Sequence, residues 1–266
     1  MLQLCADEKV TVLNHTPSAF KATTEAYVTS DIAVPDLRYV IFGGEALEPS
    51  SIQPWLDKTP NGGTDFINMY GITETMVHAS YWKVNDTHTS VSIIGHKLAD
   101  QTLYVLDQRQ QLAPKHAVGE LYVGGEGVAR GYLNRSELTA ERFIQSPFSD
   151  DPKDILYRSG DMVSYYRDNE LAYHGREDDQ VKVRGFRIEL GEIINQINQC
   201  DFVAANMVVT RKAADDTLQI VAYVVFDSAE ADRDELVTQL RVHLANILAE
   251  YMMPAAFVAM ESLPVT

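Results

Sequence analysis

The sequence predicts an α/β fold in two lobes: a large lobe with a parallel α/β sheet and a β-rich portion, then a small α+β lobe. Three observations predict it. The first part of the chain alternates short apolar strands, tight loops and helical segments, the pattern of a parallel sheet. From about Ser92 the texture changes to short strands punctuated by Gly, Pro and Asp. After Gly175 it changes again, to amphipathic helices interleaved with strands. The boundary is expected near Asp178, dividing the chain into residues 1–177 and 178–266.

"VTVL" (Val10 to Leu13) reads as a buried strand. Thr16-Pro17 opens a helix, a capping hydroxyl followed by proline at the first helical position. "RYVIF" (Arg38 to Phe42) is a second strand, ending in Gly43-Gly44 and leading to a proline-punctuated helix near "PSSIQPWL". "DFINM" (Asp65 to Met69) is a third strand running straight into "YGITET", where a third helix is expected. Ligands of such sheets gather at the carboxyl ends of strands, where Gly43-Gly44 and Tyr70-Gly71 fall. "LYVLD", "GELYVGGEG", "LYRSGDMVSYY" and "ELAYHGR" supply the β-rich portion.

In the last part Leu190, Ile193, Ile194 and Ile197 sit at helical spacing on one face. "NMVVT" and "LQIVAYVVF" read as strands. A second helix opens at Asp232 with Glu235 three residues on, as in a capping box. It carries Leu236, Leu240, Leu244 and Ile247 inward and ends at Pro254. "AFVAM" is the last strand.

Composition narrows the function classes. The chain has 266 residues, with a net charge of -16 and 45% hydrophobic residues. That acidic balance argues against a nucleic-acid partner, because phosphate backbones need basic surface. Two cysteines, without a CxxC, argue against a disulfide framework or a cysteine-rich zinc site. No apolar run approaches a membrane span, and the N-terminus lacks the pattern of a secretion signal. A reducing cytoplasm is the expectation.

Single motifs admit structural readings. "YGITE" by itself is a strand-to-helix junction, with Thr73 capping and Glu74 near the positive helix end. "GGEGVARG" fits neither phosphate-loop spacing and reads as a glycine-rich turn between strands. The histidines form no ligand-spaced pair.

The order of the motifs points further. "NMYGITET", "GELYVGGEGVARGYL", "YRSGD", "GREDDQVKVRGFRIELGEI" and "ILAEYMMP" follow one another along the chain. In sequence and spacing they resemble the later core motifs of the adenylation domains of nonribosomal peptide synthetases. Those domains belong to the acyl-adenylate-forming superfamily, with acyl-CoA ligases and luciferases. The resemblance runs from about Val10 to the last residue.

What it implies is an amino-acid adenylating site using ATP and Mg²⁺. Asn68 would bond the adenine edge, Tyr70 would stack on the ring, and Gly44, Glu45 and Ala46 would form the opposite wall. Met69 and Gly71 belong to the same nucleotide loop. Thr73 would contact the α-phosphate and Glu74 would ligate Mg²⁺. Asp161 would accept from the ribose hydroxyls, Tyr173 would pack near the nucleoside, and Arg176 would reach the ribose or phosphates. Asp178 matches a hinge about which the small lobe rotates. Lys182, with Arg184 and Arg187 nearby, would serve the second step, in which the phosphopantetheine thiol of a carrier protein takes the acyl group. A solvated basic strand is the other reading of those cations. The implied partners are an amino acid, a peptidyl carrier protein and adjacent synthetase domains, with neither nucleic acid nor membrane.

Asn14, Ile41, Gly43, Met69, Val77 and His78 match the family's specificity positions and resemble the pattern of threonine-activating domains. Gly43 leaves space, Ile41, Met69 and Val77 offer an apolar wall, and Asn14 and His78 can bond a hydroxyl. A site built around a substrate hydroxyl can reject its isostere by about 10⁴–10⁵. The other functional readings are an acyl-CoA or aryl-acid ligase of the same superfamily and a non-catalytic nucleotide-binding remnant. Relatives carry an upstream lysine-ended phosphate loop, an aspartate for the substrate amine, and a downstream Asn-Gly-Lys segment. Nothing here matches them. The expectation is therefore a piece of an adenylation domain, incomplete at both ends, aggregation-prone and weakly active or inactive alone.

Overall fold

The computed structural model describes every residue except 61–62, 215–216, 228–231 and 265–266. The chain separates into two compact units, Met1–Glu177 and Asp178–Thr266. In the first unit α1 (Leu2–Asp7) precedes β1 (Val12–His15), α2 (Pro17–Thr29), β2 (Tyr39–Phe42), α3 (Gln53–Lys58) and β3 (Asp65–Tyr70). There follow β4 (Ser80–Lys83), β5 (Ser92–Lys97), β6 (Gln101–Leu106) and β7 (Gly119–Gly125). The unit ends with α4 (Ser136–Arg142), β8 (Phe143–Gln145), β9 (Ile155–Tyr165) and β10 (Leu171–Arg176).

The fold is mixed α/β around a large central sheet. Its ten strands run in the order β1-β2-β3-β4-β5-β10-β9-β7-β6, with β8 beside β9. Only β1, β2 and β3 are parallel, and every later pairing is antiparallel. The two sequence textures thus belong to one continuous sheet. They join at β5, which pairs with β4 on one side and β10 on the other. Gly95 makes the junction possible: its φ is +72°, and a Cβ there would come 2.1 Å from the Tyr81 carbonyl oxygen.

Thr16 caps α2 as expected, its Oγ1 accepting the Ala19 N–H at 3.3 Å with Pro17 in the first helical position. The third helix does not form. After β3 the chain makes one 3₁₀ turn, Thr73–Thr75, then Met76 and Val77 adopt left-handed φ of 59° and 70°. That reversal sends the chain back as antiparallel β4. Thr73 is the first residue inside that turn, and the capping position falls to Ile72, which has no side-chain cap.

Helices α2 and α3 cover the parallel strands through an aromatic core. The Phe20 ring meets Phe42, Trp55 and Phe66 at 5.0, 5.3 and 5.8 Å, and Tyr27 stacks on Trp55 at 3.9 Å. Truncating such a ring to alanine costs about 3–5 kcal/mol, so strand-end residues of β1 to β3 stand on a rigid floor.

The second unit opens with the hairpin β11 (Gln180–Val183) and β12 (Phe186–Glu189). Its two-residue turn, Arg184-Gly185, has φ of 52° and 81°, the pairing that matches strand twist in tight hairpins. Next come α5 (Leu190–Ile197), β13 (Val203–Lys212), β14 (Leu218–Phe226), α6 (Arg233–Ala245) and β15 (Ala256–Met260). Strand β14 is central, antiparallel to β13 and parallel to β15. Ile193, Ile197, Ile220, Leu240 and Leu244 meet in the core. Two expectations need correction. Helix α6 stops at Ala245, well before Pro254, which instead precedes β15. Ile247 is 50% exposed and Leu248 points inward in its place, because the helical register ends before either residue. Among the described residues no helix is long and apolar enough to cross a membrane.

Candidate active site

The parallel register places Asn14 of β1 beside Ile41 of β2, and Ile41 beside Ile67 of β3. At the carboxyl ends of these strands lies an open depression of about 270 Å³. Asn14, Ile41, Gly43 and His78 line it, together with His15, Thr16 and Phe42. A Cβ on Gly43 would stand 3.7 Å from His78 Nε2, an ordinary contact distance, so the position faces the imidazole. Burial holds the His78 pKa below its ordinary value, and His15 shifts the same way for the same first reason.

Two of the matched pocket positions lie elsewhere. Val77 is 64% exposed, because its left-handed backbone turns the side chain to solvent. Met69 is half-buried and absent from the lining; its carbonyl oxygen is the atom that approaches Gly43. Gly71 has a packing role: a Cβ would lie 2.0 Å from the Val77 carbonyl oxygen and 2.6 Å from His78 Cα. Only glycine lets the returning loop close onto β3.

Beyond β2, Gly44 has φ 85° and is exposed, as is Ala46. The Glu45 side chain is engaged at the start of α2. Its two oxygens accept the Ser18 N–H at 3.0 Å and the Ser18 hydroxyl at 2.9 Å, so it neutralises the N-terminal end of α2. Thr73 is exposed, whereas Glu74 is 7% exposed.

The centre of the unit is a buried polar cluster. Asp161 of β9 is fully buried. Its Oδ2 accepts the Tyr70 hydroxyl at 2.5 Å, and its Oδ1 accepts Arg176 Nη1 at 2.8 Å. Burial, then the Asp161 charge, pushes the Tyr70 phenol well above its ordinary pKa, so the hydroxyl stays a donor. The Tyr70 and Tyr173 rings stand 6.4 Å apart, tilted by 37°. Asn68, 2% exposed, gives its amide hydrogen to the Ile93 carbonyl at 2.7 Å. Its amide nitrogen is thus engaged in tying β3 toward β5.

Several groups enter without a role from the sequence. Glu74 Oε1 accepts the hydroxyls of Tyr132 at 2.6 Å and Tyr157 at 3.1 Å. Glu120 of β7 takes Arg158 Nε at 3.0 and 2.9 Å and the Gly160 N–H at 3.0 Å, bracing the backbone that leads into Asp161. Tyr132, Tyr157, Arg158 and Glu120 all lie inside the quoted motifs "GELYVGGEGVARGYL" and "YRSGD". Their partners are distant in sequence, so only the motif membership marked them.

Asp178 and Lys182 belong to the second unit. Asp178 is its first residue, its Oδ1 accepting the Gln180 N–H at 3.3 Å. Lys182 stands opposite Arg187 across the hairpin.

A family model described as "AMP-binding enzyme" matches residues 1–133, half of the chain. The chain belongs to the AMP-binding enzyme family. It is 44% identical over 273 residues to malpinin synthetase of Mortierella alpina, covering 99% of this chain and 4% of that protein. It is 44% identical over 279 residues to a dimodular nonribosomal peptide synthase of Bacillus subtilis (strain 168), covering 100% of this chain and 11% of that one. Among solved structures it is similar to holo-PA1221, described as a nonribosomal peptide synthetase protein containing adenylation and carrier domains. The TM-score is 0.83 at 25% identity, over 100% of this chain and 44% of that chain. The chain thus spans only a small part of the length of either curated relative.

Proposed function

We propose that this AMP-binding chain contributes the nucleotide and amino-acid sites of an ATP-dependent adenylating ligase of nonribosomal peptide synthesis. The carboxylate of an amino acid attacks the α-phosphorus of ATP, forming an aminoacyl-adenylate and releasing pyrophosphate. The phosphopantetheine thiol of a carrier protein then receives the acyl group. The observation that carries the reading is the Tyr70–Asp161–Arg176 cluster at the carboxyl end of β3, one turn from Glu74. Asp161 has about four lone-pair sites and uses two; because it is fully buried, the cluster must open before ribose hydroxyls reach the others. Seating adenine against Tyr70 likewise requires its surroundings to open, since the residue is 6% exposed.

The residues fit a magnesium ion. Among the described residues no group of three His, Cys, Asp or Glu could hold a metal. Magnesium commonly takes one or two protein carboxylates plus phosphate oxygens and water, which the single buried Glu74 suits. When bound, the ion supplies positive charge to the triphosphate as negative charge moves to the leaving group. The chain's own part is to hold ribose, phosphate and carboxylate in line, which is most of the catalysis for such a transfer. No general base is needed, because an amino-acid carboxylate is ionised at neutral pH.

The proposed substrate is L-threonine. Asn14 and His78 supply polar groups to the depression and Ile41 an apolar side, with Gly43 leaving room between them. Rotation of the second unit about Asp178, bringing Lys182 into play for thioester formation, belongs to the same proposal. Amino-acid-dependent ATP–pyrophosphate exchange by the full-length protein tests it. Exchange should favour threonine over valine, and His78→Ala should lose much of that preference. An unchanged threonine-to-valine ratio refutes the pocket, and absence of exchange with any amino acid refutes the activity.

A further inference from the structure

The "GEGVARGY" turn has no role in the proposed chemistry, yet it is built against Glu74. The Ala129 N–H donates to the Glu74 backbone carbonyl at 2.8 Å. Three residues later the Tyr132 hydroxyl donates to the Glu74 carboxylate at 2.6 Å. From the other side the Tyr157 hydroxyl, on a side chain 1% exposed, reaches the same oxygen at 3.1 Å. The two hydroxyls are also 3.1 Å from one another.

The support extends outward. Thr139 Oγ1 accepts the Tyr132 N–H at 2.9 Å, fixing the backbone that carries the ring. Gly131 sits at φ 135°, where a Cβ would lie 2.4 Å from Thr139 Cγ2, so the approach of α4 demands glycine. The Phe143 ring packs edge-on against both tyrosines, at 5.4 Å from Tyr132 and 5.0 Å from Tyr157. Every contact holds the two phenols in place, and the phenols hold one carboxylate oxygen.

We propose that Tyr132 and Tyr157 are positioning residues that fix the Glu74 carboxylate as a ligand for a divalent cation on the bound nucleotide, with the 125–132 turn as their mount. The inference rests on the proposed function for Glu74 itself. Two donors on one carboxylate oxygen set the carboxylate plane before the cation arrives, so little rotamer freedom is lost on binding. Removing such an outer partner of a metal ligand weakens metal binding by about 10–100-fold. A purely structural pair of hydroxyls would lower stability and leave cation affinity alone.

The test uses the full chain, Mn²⁺ as a paramagnetic probe and a non-hydrolysable ATP analogue. Tyr132→Phe keeps the ring against Phe143 and removes only the hydroxyl; Tyr157→Phe repeats the removal from the buried side, should the first variant fold poorly. Expected is a loss of about 10–100-fold in Mn²⁺ affinity with nucleotide present, with metal-free nucleotide affinity unchanged. Glu74→Gln should weaken Mn²⁺ binding at least as much while the nucleotide phosphates still hold the ion, and adding Tyr132→Phe to it should have no further effect, because the two residues act through one carboxylate. Unchanged Mn²⁺ affinity in both phenylalanine variants overturns this inference alone, as does an equal further loss on the Glu74→Gln background. Failure of the unsubstituted chain to bind Mn²⁺ with nucleotide overturns the proposed function and this inference with it.

Discussion

Tyr70→Phe removes a single oxygen atom from the middle of the buried cluster and leaves the ring packing intact. Tyr70 is 6% exposed and Asp161 is fully buried, so water reaches neither end of the 2.5 Å bond. A hydrogen bond to a charged group contributes about 1.5–3 kcal/mol. Asp161 would keep Arg176, so the loss is chiefly that bond, with the phenol's contact to Ser159 going with it. With a urea dependence of about 2 kcal/mol per molar, the unfolding midpoint falls by about 0.7–1.5 M. Tryptophan fluorescence reads the right unit, because the only two tryptophans, Trp55 and Trp82, both precede Asp178.

Base adds a second arm to the same experiment. The phenol's folded pKa is raised above its ordinary value of 10.0, chiefly by burial. A raised acid contributes stability that is full below about pH 10 and lost as pH climbs toward the folded value. The gap between parent and Tyr70→Phe should therefore be flat below pH 10 and shrink above it. Tyr132 and Tyr165 are raised as well, but they are present in both proteins and cancel. A midpoint shift near zero at pH 7, or a gap that stays constant into base, would refute the account of a desolvated donor on a buried charge.

Gly71→Ala places a methyl group 2.0 Å from the Val77 carbonyl oxygen, so backbone must shift. A loss of about 1–3 kcal/mol or more is expected in the same fluorescence assay. Gly43→Ala, by contrast, meets only ordinary contacts at 3.7 Å and should fold at least as well as the parent, by about 0.4–1 kcal/mol. Its methyl group enters the depression, so threonine-dependent exchange should fall while nucleotide affinity holds. Proton NMR should place the His78 titration midpoint below 6.5. A depressed histidine contributes stability that is full above 6.5 and lost as pH falls through its folded pKa. A midpoint at or above 6.5 would mean that the imidazole is not desolvated.

Much of the site was legible because its residues travel in short motifs. Tyr70, Asp161 and Arg176 sit in "NMYGITET", "YRSGD" and "GREDDQVKVRGFRIELGEI", and strand-end logic placed Gly43 and Tyr70 at the carboxyl ends of β2 and β3. What local rules missed was the reversal after β3. "ITET" carries the same threonine and glutamate that begin a helix, and nothing nearby announces left-handed Met76 and Val77. Val77 came in as a match to a specificity position, and a β-branched residue rarely adopts the left-handed backbone that turns it to solvent here. Glu45 came in only through the resemblance, as part of a wall opposite Tyr70; its bonds to Ser18 at the α2 N-terminus join residues 27 apart and had no local signature. The inward set of α6 slipped from Ile247 to Leu248 because helical spacing was extended past a helix end. The meeting of Glu74 with Tyr132 and Tyr157 had no local signature at all.

The separations inside the cluster bear on how the chain is made. Glu74 meets Tyr157 only 83 positions later, and Tyr70 finds Asp161 after 91. At ribosomal speeds of about 5–20 residues per second, the first interval alone lasts about 4–17 s. Throughout it the growing polypeptide holds an acidic side chain that lacks at least one of its two phenolic partners, Tyr132 following after 58 positions and Tyr157 after 83. On the proposed function, nucleotide capture at this place is a late event in biogenesis, and a nucleotide retained by ribosome-bound chains would mark the moment when β9 joins the sheet.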